Sequence, residues 1–74
     1  MGLLSNRIAD RVRDVEADPA KFKRLSRNER IAVAAVLDRN DLIKLVGIKN
    51  LDEAESQLGP MWWQAVLTVK QARH

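Results

Sequence analysis

Side chains able to do acid–base or covalent chemistry are scarce in this chain. It has no cysteine and one histidine, His74, which is its last residue. That excludes a thiolate nucleophile, a disulfide framework and a thiolate metal site. A single histidine at a chain end also serves poorly in a Ser-His-Asp arrangement or a histidine metal site. The acids gather once, at Asp52, Glu53 and Glu55. On the first turn of a helix those carboxylates offset the positive end of the helix dipole, so their spacing reads as capping. The three glycines are scattered and form no phosphate-cradling loop. With no catalytic set, metal site or cofactor motif, the expectation is a protein that is not an enzyme and takes no small-molecule substrate.

The remaining chemistry is that of recognition. Net charge is +3, and residues 1–39 carry nine Lys or Arg against six acids. Within residues 19–30, Lys21, Lys23, Arg24, Arg27 and Arg30 face a single acid, Glu29. Such a patch favours an anionic partner, either nucleic acid or an acidic protein surface. The competing account is the solvated face of a small bundle. A second candidate is the amphipathic start, where Leu4, Arg7, Ile8 and Arg11 can dock into a partner's groove. Docking into its own bundle is the commoner fate of residues like Ile8 and Val12, which leaves Leu4, Arg7 and Arg11 freer. A third is the pair Trp62 and Trp63. Adjacent residues on a helix point ~100° apart, so one tryptophan is expected in the core and the other half-covered by the first helix. A tryptophan left open would make an aromatic anchor for a partner.

These residues need elements to place them, and the stretch from Leu25 to Leu37 organises the rest. Ser26 followed by Glu29 is a capping box, and seven apolar residues run from Ile31 to Leu37. A helix apolar all round has to be covered on every side. Ahead of it, Ser5 can cap a first helix to about Glu16, with Leu4, Ile8, Val12 and Val15 as its stripe. Its exposed side pairs Arg7 with Asp10, Asp10 with Arg13 and Arg11 with Asp14. The first few residues are expected to be loose. Asp18-Pro19 opens a short helix carrying Phe22.

Beyond the central helix, Asn40 or Asp41 caps a piece that Gly47 terminates, with Ile48 packing back on Ile43. Asn50 and Glu53 start a helix with Leu51, Ala54 and Leu58 on one side. Gly59 closes it and Pro60 opens a last helix with a polar line at Gln64, Thr68 and Gln71. No segment alternates with period two. The expectation is one all-α domain over residues 1–74, a compact bundle of four to six short helices around a central apolar helix at about 27–38. The longest apolar run is seven residues, against the ~20 a membrane-spanning helix needs. Absence of cysteine suits a reducing cytoplasm.

Residues 42–58 have the order of a helix-turn-helix, but the comparison fails in register. Glu53 falls where the second helix buries an apolar residue, and Asp52-Glu53-Ala54-Glu55 presents negative charge to phosphates. A helix-hairpin-helix comparison fails because Lys49 replaces the second glycine of its hairpin. Leu3-Leu4-Ser5-Asn6-Arg7-Ile8, Leu25-Ser26-Arg27-Asn28-Glu29-Arg30-Ile31 and Leu58-Gly59-Pro60-Met61-Trp62-Trp63, with the chain's size and helical make-up, resemble a small bacteriophage-encoded inhibitor of host RNA polymerase. The resemblance implies a non-enzymatic regulator that binds a polymerase subunit, inhibits host transcription and promotes antitermination in the bacterial cytoplasm. Leu4, Arg7, Ile8 and Arg11 are the expected contact residues, chosen from the helix argument and not from the resemblance. The alternative is a small DNA-binding module using the basic patch at 21–30.

Overall fold

The computed structural model describes residues 2–73, so His74 lies outside the described residues. Four α-helices and one 3-10 helix make an all-α bundle, with no strand among the described residues. They are α1 (Leu3–Ala17), the 3-10 helix (Pro19–Arg24), α2 (Arg27–Leu37), α3 (Asn40–Leu45) and α4 (Leu51–Ala72).

Helix α2 begins at the expected capping box. The Glu29 N–H donates to Ser26 Oγ at 3.3 Å, and the Ser26 N–H donates to Glu29 Oε1 at 3.1 Å. Ile31, Ala32, Val33, Ala34, Ala35 and Val36 are all buried. Six consecutive buried residues fill every direction around the helix axis, which places α2 at the centre of the core. Asp38 stops the helix in the left-handed region, at φ 51°.

Helix α1 lays Ile8, Val12 and Val15 against this core, together with Ser5. Ser5 is therefore not the cap; Gly2 holds that position without a side-chain hydrogen bond. Spacings of three, four and three make Ser5 the next member of the buried stripe, and tertiary burial outweighs its capping preference. The helix already includes Leu3. Of the three expected pairings along α1, Asp10–Arg13 and Arg11–Asp14 form. Arg7 turns instead to Glu29 on α2.

Asp18 accepts from the Ala20 N–H at 3.1 Å and Pro19 opens the 3-10 helix. Phe22 is its buried residue. Side chains three apart eclipse in this tighter helix. Lys21 and Arg24 therefore share one outward side.

Helix α3 is capped by Arg39, not by Asn40 or Asp41. The Asp41 carboxylate is taken by the Arg39 guanidinium, at 3.2 and 2.8 Å. The exit from α3 is as read from the sequence. Gly47 adopts φ 77°, its N–H donates to Lys44 O, and the Ile48 N–H donates back to Ile43 O. Those two bonds are the paired closure in which the residue after glycine folds an apolar side chain over the helix end; Ile43 and Ile48 are both buried.

Asn50 caps α4 by accepting from the Glu53 N–H at 3.0 Å. Gly59, at φ 82° and ψ 169°, interrupts α4, and Pro60 follows it. That backbone region is essentially restricted to glycine. The kink lets both halves reach the core, with Ala54 and Leu58 buried from residues 51–58 and Ala65, Val66 and Val69 from residues 60–72. Gln64, Thr68 and Gln71 stay exposed, as the polar line requires. The Arg73 guanidinium grips both oxygens of Glu16, at 3.1 and 2.7 Å, and ties the end of α4 to α1. Among the described residues no helix is long and apolar enough to cross a membrane.

Candidate recognition face

Two candidate patches that lie apart in sequence meet around one carboxylate. Glu29 sits at the third position of α2, held there by the capping box. Its Oε2 lies 3.3 Å from Arg7 Nε and 3.8 Å from Arg11 Nε, both on α1. Arg11 also pairs with Asp14 at 3.2 Å. Beside them, Arg11, Asp14, Lys21, Arg24, Leu25 and Glu29 line an open groove of about 290 Å³. Arg11 of the first helix and Lys21 and Arg24 of the basic patch thus line one groove, and Arg7 adjoins it through Glu29. Lys21 and Arg24 are exposed and have no ion-pair partner among the described residues.

The Glu29 side chain is only 12% exposed. Burial pushes its carboxyl upward, but the Ser26 backbone and hydroxyl, with Arg7 and Arg11, outweigh that and hold it below the usual glutamate value of 4.5. It is therefore ionised near neutral pH, and two guanidinium groups already hold a carboxylate on this face. Arg7 remains 62% exposed while its Nε pairs with Glu29.

The other candidate residues distribute less favourably. Ile8 is 1% exposed and belongs to the core, so it is withdrawn from the contact set, while Leu4 is half-buried against that core. Arg27 reaches the opposite way, donating from Nη2 to Gln57 Oε1 on α4 at 2.6 Å. Arg30 is half-buried, and its Nε has no hydrogen-bond partner among the described residues. Lys23 is exposed but does not line the groove. The run from Lys21 to Arg30 is therefore divided, with Lys21 and Arg24 at the groove and Arg27 bonded to α4.

Neither tryptophan is in the core. Trp62 and Trp63 are both half-buried and packed on its edge. Their adjacency on one helix makes them straddle the boundary in place of dividing between inside and outside. Sequence reasoning missed Leu45 and Met61, exposed at 61% and 76% beside the strongly exposed Leu3. The signal for Met61 is its position after the Gly59-Pro60 kink, which changes the inward direction within one turn.

The acid cluster is structural at its centre. Glu53 accepts from the Lys49 N–H at 3.1 Å and from Gln57 Nε2 at 3.2 Å. Among the described residues no group of three or more His, Cys, Asp or Glu is placed to hold a metal ion. A second cleft of about 200 Å³ between α1 and α4 is lined by Ala9, Arg13, Val69, Ala72 and Arg73. Both of its arginines are already paired, to Asp10 and Glu16. No protein-family model matches the chain, and no curated protein or solved structure matches it.

Proposed function

We propose that this protein is a non-enzymatic regulator that works by binding another protein through the face around Glu29. Bacterial RNA polymerase is the partner that the sequence resemblance implies, with inhibition of host transcription and antitermination as the outcome. The observation that carries the reading is the convergence of Arg11, Lys21 and Arg24 on one groove, with Arg7 adjoining it through Glu29. Four cations against Asp14 and Glu29 leave a local excess of positive charge. Such a face steers and orients an acidic partner surface.

DNA binding through Lys21, Lys23, Arg24, Arg27 and Arg30 is the second reading, supported by the exposed cations of the 3-10 helix. The Arg27–Gln57 bond and the half-buried Arg30 weaken it, because a duplex needs its phosphate contacts along one side.

Titration of fluorescently labelled protein against purified polymerase subunits tests the first reading. Binding at micromolar concentration or tighter is expected, and silence from every subunit overturns it. Affinity for duplex DNA that falls linearly with salt on logarithmic axes, without affinity for any subunit, would establish the second.

A further inference from the structure

We propose that the groove between α1 and the 3-10 helix receives an acidic protein segment carrying an apolar side chain, its carboxylates pairing with Lys21 and Arg24 and its apolar group resting on Leu25. The inference builds on the protein-binding reading above and names what the face takes. Lys21 and Arg24 are three apart on a 3-10 helix, so their charges stand on the same side of the groove. Phe22 anchors that helix in the core, which fixes the spacing of the two charges against α1. Across the groove, Arg11 Nε lies 3.8 Å from the Glu29 carboxylate, and Arg7 Nε approaches the same oxygen to 3.3 Å, so the chain supplies its own example of a carboxylate ion-paired on this face.

Two features favour a peptide over a phosphate backbone. Asp14 and Glu29 lie among the cations, and their charge repels the dense, regular phosphates of a duplex. An acidic segment can leave gaps opposite them. Leu25, half-buried at the groove, offers an apolar contact that phosphates do not use. Interfaces that combine a small apolar centre with a charged rim gain their specificity from such alternation.

The test is fluorescence anisotropy with a labelled short peptide of aspartate and glutamate around a central leucine. The same peptide with glycine for leucine and a mixed-sequence DNA duplex serve as comparators, at an ionic strength of about 0.15 M. The leucine peptide is expected to bind several-fold tighter than the glycine peptide. Lys21→Glu with Arg24→Glu is expected to weaken it roughly tenfold or more, since two attractions become two repulsions. Lys44→Glu with Lys49→Glu, outside the groove, is expected to leave it unchanged, and circular dichroism confirms that each variant is folded. Equal affinity for the two peptides, tighter binding of the duplex, or indifference to the Lys21 and Arg24 reversal each overturns the proposal. Polymerase binding that survives that reversal would sink the groove assignment and leave the protein-binding reading intact. Peptide binding without affinity for any polymerase subunit would keep the groove assignment and overturn polymerase as the partner.

Discussion

Replacing Glu29 by glutamine separates the two jobs that its carboxylate does. Glutamine keeps an oxygen to accept the Ser26 N–H but loses the negative charge. A charge-assisted hydrogen bond contributes about 1 kcal/mol more than a neutral one. A negative group in the first turn of a helix adds about 0.3–1 kcal/mol. The pairs with Arg7 and Arg11 add a few tenths each, discounted because those side chains are 62% and 39% exposed. Against this stands the relief of burying a neutral amide in place of a carboxylate. The net loss is about 1–2 kcal/mol, and for a chain of this size Tm falls by roughly 5–15 °C.

The pH dependence distinguishes charge from geometry. Glu29 titrates below its ordinary value in the folded protein, so its ionised form stabilises the fold above that value. That contribution disappears as pH falls through the lowered folded pKa. Glutamine does not titrate, so the stability gap between wild type and variant is present at about pH 7 and closes toward about pH 3. Urea unfolding at both pH values measures it. The variant also frees Arg7 and Arg11, and its affinity for the acidic leucine peptide is expected to rise. An equal gap at the two pH values would refute the electrostatic account, and no gap at neutral pH would refute the role of Glu29 altogether.

Ile31→Ala removes a 1% exposed side chain from the start of the core run and is expected to cost about 2–4 kcal/mol in chemical denaturation. Gly59→Ala meets no atom within 4 Å of the added carbon, so its whole cost is backbone strain at φ 82°, about 1–3 kcal/mol by the same measurement. Because both tryptophans sit at the core edge, acrylamide is expected to quench the emission of Trp62→Phe and Trp63→Phe variants to comparable extents. Arg7→Glu with Arg11→Glu sets two new carboxylates beside Glu29 and Asp14, so thermal unfolding is expected at lower temperature than for the Lys21 and Arg24 reversal.

Local punctuation in this chain is legible from sequence because each signal is chemical and short-range. Ser26 with Glu29, Asp18-Pro19, Gly47-Ile48, Asn50 with Glu53 and Gly59-Pro60 all act within a few residues, and the structure uses each one. The failures come where a local preference meets a tertiary demand. Ser5 is a good cap by type but falls on the stripe of Ile8 and Val12, so it is buried. Ile8, one of the four candidate contact residues, takes the commoner fate of docking into its own bundle. Arg7 has an acid three residues ahead, yet the better partner is Glu29, twenty-two positions away and pre-set by the capping box. No periodicity encodes that choice, because it depends on which side of α2 receives α1. The division of the basic patch was hidden for the same reason. Arg27 follows α2 toward Gln57, whereas Lys21 and Arg24 follow the turn of a 3-10 helix.

That turn explains why a modest net charge is enough to make a directed face. Ile8 and Val12 point inward from α1, which leaves Arg7 and Arg11, each one residue earlier, along the edge of the same buried stripe. Phe22 points inward from the 3-10 helix and leaves Lys21 and Arg24 along the facing edge. Glu29 then sits between the two edges because the capping box requires an acid at the third position of α2. The carboxylate that starts the central helix is thus the one that partly neutralises the proposed recognition face. Any substitution that frees Arg7 and Arg11 for a partner weakens the start of α2, and any that binds them more firmly to Glu29 subtracts from the charge a partner meets. Under the proposed function, stability and recognition are coupled through a single side chain, which is the form of trade-off expected where a small core and a binding surface share residues.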